Sequence, residues 1–181
     1  AAAEELRQDG WDIGTAIVRD DVSVTGPDHQ QRRRGVAGTI LVHKMVGAAA
    51  AQGTSVAGLK TLADKLLPEL KTIGFSSSGA YIPGHENPSF NLPEDTISYG
   101  VGIHGEPGYH EETFRSSELL ANELVDKLRI NFHWQAGDHF AVLVNSLGGT
   151  TTMETLVFAN DIRQLLALGN VQVDFVKAGN F

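Results

Sequence analysis

Residues 140–176 admit few folds. Phe140 to Val144 is a short apolar run that passes into Asn145-Ser146-Leu147-Gly148-Gly149. A stretch with helical character follows from about Thr151 to Leu168, and Val171 to Val176 is a second apolar run. Apolar runs of this length, bounded by turn residues, read as buried strands. A strand, a helix and a second strand at this spacing predict a right-handed βαβ unit, with Gly169 as the C′ residue closing the helix. The expected fold class is therefore α/β.

The other segments are read around that unit. Ala1 to Leu6 resembles the back half of an amphipathic helix with no N-cap before it; it stops at Gly10, and Trp11 to Val18 is strand-like. Asp20 to Arg34 is rich in turn residues, including Gly26-Pro27-Asp28. Thr39 is placed to cap a helix through Ala51, and Thr54 or Ser55 to cap a second one that Pro68 must kink or break. Phe75 to Ile82 and Ile97 to Ile103 read as strands, with Pro83 to Pro88 as a loop between them. Ser116 or Ser117 opens a helix through Leu128, with Leu119, Leu120, Leu124 and Leu128 on one face. The composition changes near Gly74, which divides the chain into expected portions 1–74 and 75–181.

Composition excludes several classes. With no cysteine among 181 residues there is no disulfide framework, cysteine nucleophile or thiolate metal site. Lys and Arg number 14 against 22 Asp and Glu, a formal net charge of −8, which argues against a general nucleic-acid surface. No apolar stretch approaches the roughly 20 residues of a membrane span. The expectation is a cytoplasmic protein. The chain opens on Ala1 without Met or a signal-like segment, and its uncapped first helix points to residues upstream, as in a fragment, a processed chain or a trimmed one.

His104 is the leading candidate for chemistry. It follows an apolar strand and precedes Gly105-Glu106-Pro107-Gly108, where glycine admits close approach and proline fixes the turn. Glu106 is near enough in sequence to orient the imidazole; the plainer reading is a turn histidine bonded to backbone. His104, Glu106, His110 and Glu111 invite a metal hypothesis, but they lack the paired-histidine helix of zinc proteases, and no metal site is expected. Asn145 to Gly149 has the form of an anion-cradling turn, and equally of a plain strand–helix turn capped by Thr150 to Thr152. Asp20 and Asp21 read as solvated turn residues rather than paired catalytic carboxylates. Arg32 to Arg34 read as arginines around a loop that help place the following helix. Trp11 and Trp134 are expected to be packing residues.

Four ordered blocks carry a resemblance that spans nearly the whole chain. Asp20-Asp21-Val22-Ser23-Val24 comes first; Arg33-Arg34-Gly35-Val36-Ala37-Gly38-Thr39 follows, with Val42-His43-Lys44 and Gly47 to Ala50 behind it. Gly102-Ile103-His104-Gly105-Glu106-Pro107-Gly108 and Leu143 to Thr150 complete the set. Together they are similar to the dihydroxyacetone kinase substrate-binding subunit family, its phosphotransferase-linked form in particular. The resemblance implies a two-part fold: the tail of a three-layer α/β/α domain in residues 1–74, then a two-layer α/β domain with a mixed sheet in 75–181.

The resemblance also implies a role for His104 as both catalytic and substrate-binding residue. Its ring nitrogen would attack the carbonyl carbon of dihydroxyacetone and hold the ketone as a hemiaminal for phosphorylation. No cofactor is expected on this chain. ADP or ATP with magnesium is expected on a helical partner subunit or domain, and a homodimer is the family habit. The family's Gly-Ser-Gly-His loop, lysine and catalytic aspartate fall upstream of the segment matched by Ala1 to Val18, so the isolated chain is expected to lack the general base. Two other readings share the same residues: a non-catalytic co-regulator that binds the same ketone, and a binding module for short carbonyl compounds.

Overall fold

The computed structural model describes residues 1–23, 33–103, 106 and 108–181. Among them, helix α1 is Ala2–Gln8, α2 is Gly38–Ala51 and α3 is Val56–Leu66, which tightens into a 3-10 turn at Leu67–Glu69. Strands β1 (Phe75–Ser76), β2 (Thr96–Tyr99) and β3 (His110–Thr113) follow. Helix α4 (Ser117–Phe132), β4 (His139–Ser146), α5 (Thr152–Leu168) and β5 (Gln172–Asn180) complete the chain. The first three strands form an antiparallel sheet in sequence order, while β4 and β5 pair in parallel, joined through α5 as a βαβ unit. Both strand orientations are present, in separate sheets.

Helix α5 begins where the sequence offers a reciprocal cap. The Thr151 hydroxyl accepts from Glu154 N at 3.3 Å, and the Glu154 carboxylate accepts from Thr151 N at 2.9 Å. Ser116 caps α4 and Ser55 caps α3 in the simpler way, each hydroxyl accepting from an amide three residues on. The 3-10 turn at Leu67–Glu69 contains Pro68, whose missing N–H ends the α-helical ladder.

A sheet-on-helix contact forms the core cluster. Ile97 and Tyr99 of β2 face Leu120 and Leu124 of α4, all buried, with Ile73, Phe75 and Phe158 around them. Leu120 and Leu124 lie one turn apart and so share a face; burying each contributes about 1.5–3 kcal/mol. Phe75 meets Phe158 edge-on at 5.4 Å, which ties the antiparallel sheet to α5. Near the C-terminus of α4, Trp134 and Phe132 both pack on Phe140 of β4, so Trp134 is a packing residue as expected.

Several expectations fail. Trp11 to Val18 has no ladder partner among the described residues and is irregular; Trp11 is 65 % exposed and is not a packing residue. The expected strand Phe75 to Ile82 stops at Ser76, where the Ser76 hydroxyl turns back onto the Ser78 carbonyl. Strand β3 was not expected, because His-Glu-Glu-Thr shows no apolar alternation; pairing with β2 alone forms it. Thr39 does not cap α2, whose N-cap is Ala37. At the end of α5, Gly169 has φ −76°, and Asn170 at φ 58° takes the left-handed position instead.

Candidate functional site

His104, with Gly105 and Pro107, lies outside the described residues, as do Arg32 and the Gly26-Pro27-Asp28 turn. The stem that leads to His104 is held by backbone hydrogen bonds. Strand β2 ends at Tyr99, Gly100 turns the chain with φ 76°, and Gly102 N donates to Glu106 O at 3.2 Å. Tyr109 N then donates to Tyr99 O at 2.8 Å, which starts the ladder with β3. Residues 100–109 therefore form the β2–β3 connection. That connection belongs to an antiparallel sheet, so the strand-end rule for open parallel sheets, which favoured His104 in the sequence, does not describe it.

Two acidic residues behind this loop overturn an expectation. Asp20 and Asp21 are not solvated turn residues: they are 0 % and 2 % exposed. Asp20 Oδ1 accepts from Val36 N at 2.8 Å and Oδ2 from Gly38 N at 2.7 Å. Its carboxylate thus caps α2 from outside the helix, where amide donors and the helix dipole both favour an anion. Asp21 accepts from Ser23 N at 2.9 Å and from the Ser23 hydroxyl at 2.6 Å, and it pairs with the Arg34 guanidinium. The segment itself is held by Val22 N donating to Thr72 O and Thr72 N donating to Asp20 O. The partners lie 13 to 18 residues downstream for Arg34, Val36 and Gly38, beyond the reach of any local turn pattern.

Arg34 is the hub. Nε donates to Asp21 Oδ2 at 2.7 Å, while Nη2 donates to the Ser23 hydroxyl at 3.0 Å and to Gly100 O at 2.9 Å. The Ser23 hydroxyl also reaches Gly100 O at 3.3 Å. A Cβ at Gly102 would collide with the Glu106 carboxylate and lie 2.7 Å from Arg34 Nη1, so both groups crowd the Gly102 α-carbon. Gly100 is equally constrained: a Cβ there would lie 2.5 Å from both Ser23 Cβ and the Tyr109 ring. The sequence reading of Arg34 as a residue that surrounds a loop missed this; its spacing to Asp21 gave no helical or strand signal.

The remaining candidates are dispersed. His110 and Glu111 alternate along β3 on opposite faces, and the His110 ring stacks on Tyr99 at 6.0 Å. Among the described residues no three His, Asp or Glu side chains converge as metal ligands. In the Asn145–Gly149 turn, Gly148 N donates to the Ser146 hydroxyl and Thr151 with Glu154 fills the helix start, which is the plain strand–helix turn. Arg33 bonds Asn131 at 2.9 Å, near Lys71, whose pKa is lowered by burial and then by the Arg33 charge. Tyr99 donates to Glu112 at 2.7 Å and Tyr109 to Glu123 at 3.2 Å; burial, with these carboxylates, raises both phenol pKa values. No helix among the described residues is long and apolar enough to cross a membrane.

Fold and site together define an α/β chain whose glycine-rich β2–β3 loop is braced from behind by a partly buried ion pair. The chain belongs to the Dak1 domain family, which it matches over residues 1–181. It is 47 % identical over 181 residues to the "PTS-dependent dihydroxyacetone kinase, dihydroxyacetone-binding subunit DhaK" of Lactococcus lactis subsp. lactis (strain IL1403), covering 100 % of this chain and 53 % of that protein. The solved "Dihydroxyacetone kinase operon co-activator Dha-DhaQ" is 44 % identical with a TM-score of 0.92, over 99 % of this chain and 55 % of that one. The dihydroxyacetone kinase from C. freundii, solved in complex with AMP-PNP and Mg2+, is 29 % identical with a TM-score of 0.86, over 99 % and 32 %. The chain thus spans about half the length of the curated relatives it matches.

Proposed function

We propose that this chain is part of a dihydroxyacetone-binding subunit and that His104 captures the ketone covalently for phosphorylation by a nucleotide-bearing partner. The carrying observation is the bracing of the β2–β3 connection: Arg34, Ser23 and Gly74 fix Gly100 on both its polar atoms, four residues before His104. A nucleophile needs such a stem, because a misplacement of about 1 Å can cost on the order of 100-fold in rate. The 47 % identity to a relative named for dihydroxyacetone binding supplies the substrate.

In the capture step a lone pair of the neutral imidazole forms a bond to the carbonyl carbon, and the carbonyl π bond breaks towards oxygen. That oxygen takes up one proton and the ring nitrogen's proton is released, so the adduct retains every atom of the ketone. Glycerol offers the same hydroxyls and no electrophile, so capture selects by chemistry where hydrogen bonding alone discriminates poorly. A ketone hydroxyl then accepts the phosphoryl group. In this reading ADP or ATP with magnesium sits on a phosphotransferase-linked partner subunit, and the complex is a cytoplasmic homodimer. The boundary between the two α/β portions lies near Gly74 in the same reading.

A second reading has its own support: the TM-score of 0.92 and 44 % identity are to a co-activator. In that reading this chain captures the ketone and reports it without transferring phosphate. Intact-mass measurement of the full chain with dihydroxyacetone tests what both readings share. A gain of one whole dihydroxyacetone, absent in His104→Ala, is expected; no gain, or a gain short by one water as an imine at lysine would give, overturns the reading. Phosphorylation assays with the nucleotide-bearing partner then separate kinase subunit from co-regulator.

A further inference from the structure

We propose that Arg34 is a positioning residue for the capture reaction, with its guanidinium joining the Asp21–Ser23 segment to Gly100 and Gly102 of the chain that leads to His104. The inference rests on the reading of His104 as the capturing residue. The geometry is a fork used on both sides. One edge of Arg34 lies on Asp21 through Nε and Nη2, and Nη2 continues to the Gly100 carbonyl. On the other edge, Nη1 lies beside Gly102, where the Glu106 carboxylate also arrives. Only a planar guanidinium offers donors in these directions at once; a lysine ammonium is a point charge on a flexible stem.

Stability alone is a weak account of this pair. Asp21 is 3 % and Arg34 23 % exposed at the side chain, and desolvating two charges consumes much of what their attraction returns. What the pair supplies is a fixed relation between two stretches 66 residues apart in sequence, one of them the stem before His104. The loop's glycines fit this role. Gly100 leaves no room for a side chain against Ser23, and Gly102 none against Glu106 and Arg34, so the stem closes onto the guanidinium rather than merely passing it.

The test uses the full chain with Arg34→Lys, Ser23→Ala and, as a neighbouring control, Arg33→Lys. Capture is read as adduct occupancy against dihydroxyacetone concentration by intact mass. His104 itself is read by its acylation rate with diethyl pyrocarbonate, resolved by peptide mapping against the other histidines. Arg34→Lys is expected to weaken capture about tenfold or more and to change the His104 acylation rate severalfold, with other histidines and the Arg33→Lys protein unchanged. Ser23→Ala keeps the ion pair and is expected to move both readouts the same way by about two- to threefold, which also serves if Arg34→Lys does not fold. If the unsubstituted chain forms no adduct, the His104 capture reading falls, and the acylation rate alone decides whether Arg34 positions the residue. An unchanged His104 acylation rate in both variants overturns the inference, as does a loss of capture that Arg33→Lys reproduces.

Discussion

Gly38→Ala separates two opposed rules within one helix. Gly38 is the first residue of α2, and replacing glycine by alanine in a helix ordinarily stabilises it by up to about 1 kcal/mol. Here the new Cβ would lie 2.5 Å from Asp20 Oδ2 and 2.9 Å from its Cγ. The carboxylate has no room to retreat without loss, because Oδ1 is held by Val36 N and Oδ2 by Gly38 N. Overpacking costs about 1–3 kcal/mol, and weakened hydrogen bonds to a charged group about 1.5–3 kcal/mol. Set against the propensity gain, the net loss is about 2–4 kcal/mol, which lowers the melting temperature by roughly 5–15 °C at this chain length. Gly47→Ala in the same helix is the internal control, since nothing lies within 4 Å of its Cβ and it is expected to be neutral or slightly stabilising. Thermal and urea unfolding followed by circular dichroism gives both numbers. A Gly38→Ala chain as stable as the Gly47→Ala chain would refute the external cap.

Alkaline stability provides a second prediction. Tyr99 and Tyr109 carry folded-state pKa values raised above the ordinary value near 10, by burial first and then by Glu112 and Glu123. Their contribution is fully present below about pH 10 and is lost as pH rises through the raised values, because the unfolded chain releases these protons first. Unfolding curves between pH 8 and pH 12 are expected to fall more shallowly in Tyr99→Phe; an identical slope speaks against the shift. At the start of α5, Thr151→Ala removes the reciprocal cap and is expected to lower the melting temperature by about 2–4 °C. Glu154, its pKa lowered by the Thr151 hydroxyl and amide, loses that support as pH falls through its folded value, so the difference between the two chains should shrink in acid.

Much of the fold was legible because its cues are local. The βαβ unit at 139–180 follows from two apolar runs, a glycine turn and the helical stretch between them. Ser55, Ser116 and Pro68 act through neighbours three or four residues away. What escaped depends on distance along the chain. Asp20 and Asp21 look like turn residues until Val36, Gly38 and Arg34 meet them, and β3 has no apolar pattern until β2 pairs with it. Trp11 looked like a core residue because aromatic rings usually are; here it faces outward. For the site, the sequence singled out the loop, while the arginine that braces it became visible only through contacts across 66 residues.

Carbon NMR of dihydroxyacetone labelled at its carbonyl and bound to the full chain distinguishes covalent capture from simple binding. Capture by His104 converts the carbonyl carbon to a tetrahedral one bearing oxygen and nitrogen. The bound ketone signal is expected to be replaced by a single tetrahedral signal, and His104→Ala to restore the carbonyl. A bound signal that remains in the carbonyl region, or a tetrahedral signal that survives His104→Ala, would contradict it.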